Sequence, residues 1–301
     1  MRNKAQVFSS FWLKIFALVT MTLSHIGTFL SLYKIGGDWA SVLLIIGRIA
    51  FPLYVFMLAE GLHKTHDRWN YILRLAIIWA AIFLVEMVFS FANPDMMAKV
   101  SAQAFTDLLC YALFITLLES KGGLKYLSIL PAGYLVLSYV ADVMENYEAL
   151  DGTYVVYWTN SFPLWARAGY SLFGFALFLG FYYTLPLVKK IVATESKKRE
   201  LNLGDDFEKT PTFQSLLNLV SCTALVLVTV IFWALSYLWP AGDTIFWLNP
   251  QSYCLLAGLI IFCYNGKLGY HAKWFTYANY LYYPVHIALL ALIFFLSLGQ
   301  F

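Results

Sequence analysis

The chain has 301 residues, 61% of them hydrophobic and 12% charged, about half the charged share of an ordinary soluble domain. A protein of this size cannot hide so much apolar surface in water, so a soluble fold is excluded. What remains is an all-α, polytopic transmembrane helix bundle. The net charge of +3 says little by itself, because the charges are segregated along the chain; membrane lipids are the expected surroundings, and no nucleic-acid partner is expected.

Crossing ~30 Å of hydrocarbon takes ~20 residues. Runs of that kind lie near 11–33, 40–63, 71–92, 103–120, 124–141, 163–188, 213–239, 245–264 and 272–297. The pattern predicts nine spans, the fourth and fifth short and the eighth bent at Pro250. The first run is too long for a cleaved signal and no small-residue cleavage site follows it, so it is expected to remain as a span. All four cysteines (Cys110, Cys222, Cys254 and Cys263) sit in apolar runs at irregular spacing. That reads as packing, with neither a disulfide framework nor a zinc motif.

The basic residues sort by loop. Arg2, Lys4, Lys64, Arg68, Arg74, Lys121, Lys125, Lys189, Lys190, Lys197, Lys198, Arg199, Lys209, Lys267 and Lys273 fall on one side of a nine-span alternation, and only Lys34, Lys99 and Arg167 on the other. Basic residues accumulate on the cytoplasmic side. The expected N-terminus is therefore cytoplasmic and the C-terminus extracytoplasmic. A single domain over 1–301 is expected, with an acidic, aromatic extracytoplasmic loop at 142–163 and a mixed-charge cytoplasmic loop at 189–211. The first of these has an interfacial composition and is a candidate surface for an acceptor. No internal repeat of the kind many transporters carry is visible.

Ionisable groups within a span cost roughly 2.5–3.5 kcal/mol each and are functional by default. Here they are Lys14, His25, Arg48, Glu86, Asp107 and His286, with Glu60 nearer a helix end. Counted at ~1.5 Å per residue, His25, Arg48, Glu86, Asp107 and His286 fall into one layer roughly 20–23 Å from the cytoplasmic face. Lys14 and Glu60 form a second level near that face, with Arg68, Arg74 and Lys267 beside it.

Lys14 and His25 lie eleven residues apart in "WLKIFALVTMTLSHIG". That is three turns plus roughly 20°, or about 16 Å along one helix face. A pantetheine arm has about this reach. A cation at one end can meet CoA phosphates while an imidazole, able to take a proton near neutral pH, meets the thioester at the other. Arg48 is a candidate oxyanion partner, with an ion pair to Glu86 as the structural alternative. His286 in "YPVH" can assist proton transfer or bind the acceptor, or can satisfy a carbonyl freed by Pro284. Tyr264 and Asn265 in "YNGK" can contact the nucleotide or cap the preceding helix. His63 and His66 read as solvated, and no metal site is expected.

These residues carry a resemblance. "LKIFALVTMTLSHIG", "IGRIAFPLYVFMLAEGLHKTHDRWNYILRL", "YNGKLG" and "KWFTYANYLYYPVHIALL" resemble the TraX family of bacterial membrane acetyltransferases and, more distantly, the acyltransferase-3 family. In the latter a basic residue, ten residues and a histidine taken as catalytic lie on the first span, a spacing that Lys14 and His25 match. The likeness is strongest over 11–77 and 254–290. Two features depart from the family: Ser24 stands where an acidic residue usually precedes the histidine, and the loop at 142–163 is longer.

The resemblance implies transfer of an acetyl group from cytoplasmic acetyl-CoA to an extracytoplasmic amine or hydroxyl, in the bacterial cytoplasmic membrane. The acceptor would be a pilin N-terminus, a polysaccharide or a lipid-linked glycan. The resemblance makes His25 catalytic; the reading of charge and depth adds Arg48, Glu86, Asp107 and His286 as catalytic candidates, and Lys14, Arg68, Arg74, Tyr264, Asn265 and Lys267 as donor-binding ones. His25 acts either as general base or as acyl carrier. A proton- or solute-coupled transporter and a non-catalytic envelope subunit are the rival readings.

Overall fold

A computed structural model describes residues 6–92, 104–151, 162–200, 205–239 and 251–298. It is an all-α, multi-pass helical bundle. Among the described residues ten α-helices follow in order: α1 (Ser10–Leu32), α2 (Asp38–Gly47), α3 (Ala50–Lys64), α4 (Arg68–Ala92), α5 (Ala104–Leu118), α6 (Ile129–Asp151), α7 (Ser171–Lys198), α8 (Pro211–Leu238), α9 (Ala257–Phe262) and α10 (Lys273–Leu298). Among the described residues seven segments are long and apolar enough to cross a membrane, α2 and α3 together making one of them. The expected fourth and eighth spans are the two that fall short, at Ala104–Leu118 and Gln251–Phe262. The fifth is long, since α6 alone has 23 residues. The expected bend at Pro250 lies outside the described residues.

Where helices stop follows from local chemistry. Pro52 has no N–H for the carbonyl of Arg48, and its ring crowds that carbonyl. The backbone accordingly tightens one turn earlier, with Arg48 N–H on Ile45 O and Ile49 N–H on Ile46 O, and α2 gives way to α3 at Arg48. The α8 start is capped by Thr210, whose hydroxyl accepts from Phe213 N–H, with Pro211 at the first helical position.

Two expected loops turn out partly helical. α6 runs on from Asp142 to Asp151 and α7 from Lys189 to Lys198. Neither stretch contains Gly or Pro, and both are rich in helix formers. The acidic residues at the end of α6 also have a partner within the chain. Arg167, almost wholly buried, pairs with Asp142 at 3.0 Å and Glu145 at 2.5 Å, tying α6 to the segment that leads into α7.

Among the described residues the larger of two apolar cores runs through α1, α3, α5, α7 and α9, with Leu13, Leu53, Tyr111, Phe178 and Ile261 among its enclosed members, and a smaller one gathers Met21, Ala50, Ile82 and Tyr283. Outward residues such as Ile77, Val85, Val226 and Leu289 are exposed and apolar, as a lipid-facing surface requires. α1 lies close against α2 because glycine faces it. A Cβ on Gly47 would stand 2.2 Å from the Ser24 Cβ, and one on Gly27 2.9 Å from the Ala40 carbonyl oxygen. Small residues let membrane helices approach this way. Gly47→Ala is expected to lower stability by roughly 1–3 kcal/mol through overpacking, read as a fall in the thermal unfolding midpoint in detergent. The same contact directs Ser24 at α2.

Candidate functional site

The expected His25 level is built from α1 and α10. Thr20, Thr22 and Thr28 on α1 donate to carbonyls one turn back, those of Phe16, Leu18 and Ser24. Their polarity is thus satisfied within the helix. Thr22 Oγ1 also hydrogen-bonds Tyr282 Oη at 2.7 Å, bringing α10 alongside. One turn further along each helix, His25 Nδ1 meets His286 Nε2 at 2.8 Å. The rings are 4.9 Å apart at 40°. His286 is 5% exposed, with Tyr282 stacked on it and Tyr283 edge-on to both imidazoles. Its Nδ1 donates to the Tyr282 carbonyl at 2.8 Å. The carbonyl that Pro284 leaves without its N–H is that of Tyr280, four residues back, so His286 does not serve that group.

The other members of the level are held differently. Arg48 lies within electrostatic reach of His25 and of the Tyr170 hydroxyl. Tyr170 stacks on Phe51, and its backbone N–H donates to Asp107 at 3.0 Å. Asp107 is fully buried and also accepts from Tyr111 Oη at 2.8 Å. The carboxylate therefore sits at the N-terminal end of α7, where helix N–H groups lack internal partners and favour negative charge. Glu86 is felt by Tyr283, the ring that flanks the histidines. The structure thus joins His25 to His286 directly and sets Arg48 beside them, while Asp107 is engaged with α7. Tyr170, which connects Arg48 to Asp107, carries no charge and stood out in no sequence pattern.

The Lys14 level is organised by "YNGKLG". Phe8 pairs with Tyr264 in an isolated bridge, and the N–H groups of Ser10 and Phe11 donate to the carbonyls of Lys267 and Leu268. This remote segment so caps the first turn of α1. Gly266 and Gly269 have φ of +71° and +67°, and a Cβ on Gly269 would meet Ser9 Oγ at 2.3 Å, so glycine is required there. Tyr264 is enclosed, and its hydroxyl donates to both oxygens of Glu60 at 2.6 and 2.8 Å. Lys64 reaches Glu60 at 2.7 Å and the Gly266 carbonyl at 3.0 Å. Lys14 is half-buried and feels the Glu60 charge. Asn265 Oδ1 accepts from Lys267 N–H, and Lys267 and Arg74 are exposed.

Arg68 is more engaged than its sequence suggests. Its guanidinium donates to Glu119 at 2.6 Å, to Tyr182 Oη at 3.1 Å and to the Leu62 carbonyl at 3.1 Å. Tyr182 in turn donates to Glu119. His63, expected to be solvated, stacks on Tyr182 at 4.1 Å and donates to its carbonyl. A cavity of about 170 Å³ opens at this level between α3, α7 and α8, lined by Glu60, His63, Lys64 and Gln214 among apolar residues. Among the described residues no group of three or more His, Cys, Asp or Glu is placed to hold a metal.

The family model described as TraX protein matches residues 9–196. That range contains Lys14, His25, Arg48, Arg68, Arg74, Glu86 and Asp107, whereas "YNGKLG" and His286 lie beyond it. No curated protein and no solved structure matches the chain. The match spans well over half of the sequence, and on that ground the chain belongs to the TraX family.

Proposed function

We propose that this chain is a membrane acyltransferase that moves an acetyl group from cytoplasmic acetyl-CoA to an extracytoplasmic acceptor, a pilin amine or a surface-glycan hydroxyl. One observation carries the reading. An imidazole pair is held in the interior of the bundle, and α1 places His25 about 16 Å from the Lys14 level, where Glu60 borders a cavity. Family membership points the same way. The proposal takes the chain as one domain in the bacterial cytoplasmic membrane, with Ala104–Leu118 and Gln251–Phe262 also crossing. Nine spans then put the N-terminus inside and the C-terminus outside, with the charge asymmetry of the loops in support.

In this mechanism Lys14 meets the donor phosphates as a point charge, with Arg74 and Lys267 at the entrance and Tyr264 and Asn265 shaping it. Arg68 joins them when phosphate takes the place of Glu119 on its guanidinium. His25 accepts the proton of the acceptor amine or hydroxyl as that group attacks the thioester carbonyl. Arg48 offsets the negative charge that builds on the carbonyl oxygen. The C–S bond then breaks as the acyl C=O re-forms, and the departing sulfur takes the proton back from His25. His286 orients the imidazole, while Glu86 and Asp107 are the carboxylates that hold the surrounding rings and the start of α7.

The test is acetyl-CoA turnover by purified protein in lipid, with envelope material supplied as acceptor and CoA thiol as the readout. Turnover by wild type, with KM for acetyl-CoA raised about tenfold or more in Lys14→Ala, is the expected result, since a hydrogen bond to a charged group contributes roughly 1.5–3 kcal/mol. A protein that neither binds nor turns over acetyl-CoA would overturn the reading in favour of a transporter.

A further inference from the structure

The contacts of the two histidines determine more than their proximity. A carbonyl oxygen can only accept, so the 2.8 Å contact with Tyr282 O puts a proton on His286 Nδ1. A neutral imidazole carries one N–H, and its other nitrogen is an acceptor. His286 Nε2 is therefore the acceptor in the 2.8 Å contact with His25 Nδ1, and the proton of that contact belongs to His25. A second cation is disfavoured here, because Arg48 already lies within electrostatic reach of His25 and the surroundings are apolar. The chain of donors then runs in one direction, from His25 through His286 to the Tyr282 carbonyl.

We propose that His286 is a positioning residue, which holds His25 as the Nδ1–H tautomer and leaves its Nε2 lone pair as the atom that takes the acceptor's proton. The inference rests on the acyltransferase reading for its chemistry, though not for its geometry. His286 touches neither donor nor acceptor in this role. Its own orientation comes from Tyr282, which stacks on the ring and bonds Thr22 of α1 through its hydroxyl. The two helices thereby present the imidazole pair as a unit. Reversing the contact would place the proton of His25 on Nε2, and the ring would have no lone pair to offer.

The experiment is nitrogen-15 NMR of histidine-labelled full-length protein in lipid nanodiscs, the His25 signals assigned by their loss in His25→Ala. Wild type is expected to show His25 protonated on Nδ1 and bare on Nε2. In His286→Gln the side-chain oxygen replaces the acceptor, so the tautomer and most of kcat persist. In His286→Leu the single tautomer is lost and kcat falls on the order of tenfold or more, with KM for acetyl-CoA unchanged, as when a triad loses its orienting group. A wild-type His25 protonated on Nε2 overturns the inference, as does an equal loss of kcat in the Gln and Leu variants. Should the Leu variant fail to fold, the wild-type spectrum and the Gln variant decide alone. The spectrum needs no substrate. A His25 tautomer that holds in protein inert to acetyl-CoA would therefore sink the acyltransferase reading and leave the positioning role standing.

Discussion

His25→Ala is expected to slow CoA release from acetyl-CoA by roughly 10²- to 10⁴-fold, the range over which a positioned acid–base side chain contributes. Acetyl-CoA binding is expected to survive, because the phosphate-facing groups lie at the other level, about 16 Å away. Stability should fall by roughly 1–3 kcal/mol, because buried His286 loses the partner of its Nε2. α1 keeps its packing on α2 through Gly27 and Gly47, which the substitution does not touch. The measurement is single-turnover thiol release beside a thermal melt. Turnover near the wild-type rate would remove His25 from the chemistry. A hydroxylamine-labile acetyl label recovered on the His25 peptide would instead mark it as an acyl carrier.

Gly174→Ala, which replaces no reacting group, is expected to be the more damaging change to the fold. A Cβ there would stand 2.1 Å from Tyr111 Oη, 2.7 Å from Phe51 Cζ and 2.9 Å from Tyr170 Cβ. Tyr111 and Phe51 are buried rings of α5 and α3, and Tyr170 caps α7 one turn back, so the new methyl meets rings on every near side. Overpacking of this kind costs roughly 1–3 kcal/mol. Displacing the Tyr111 hydroxyl also removes a hydrogen bond from fully buried Asp107, and a buried polar group left unsatisfied costs a further ~1–3 kcal/mol. The readout is folded yield and melting temperature in detergent. The double variant Gly174→Ala with Tyr111→Phe is expected to recover part of the loss, since the nearest clashing atom is then gone. Equal melting temperatures for wild type and Gly174→Ala would show that α7 has room the structure does not give it.

Several site elements were legible from the chain. Lys14 and His25 share a face of α1 because helical geometry is local, and Arg48, Glu86 and His286 announced themselves as ionisable groups in apolar runs. Other features left weaker marks. Tyr170 and Tyr182 tie charged groups together, yet a tyrosine in an aromatic-rich membrane chain attracts no notice. Glu119 lay unremarked at the end of the expected span 103–120 until α4 and α5 brought Arg68 to it. The break at Arg48 was readable in principle from Pro52, but hydropathy alone runs smoothly across residues 40–63.

Residence in a membrane, the helical class and the places where charge enters apolar helices were decided by sequence alone, because hydropathy and helical period are properties of neighbours along the chain. The partnership of those charges was not. His25 and His286 are 261 residues apart, and the Glu60–Tyr264 pair 204. Only the close approach of α1 to α10, and of α3 to the segment ahead of it, turns them into bonded pairs. Depth can be counted from a sequence, since a helix advances at a set rise per residue. The neighbour met at that depth depends on how helices pack and rotate against one another, and that is a property of the tertiary structure.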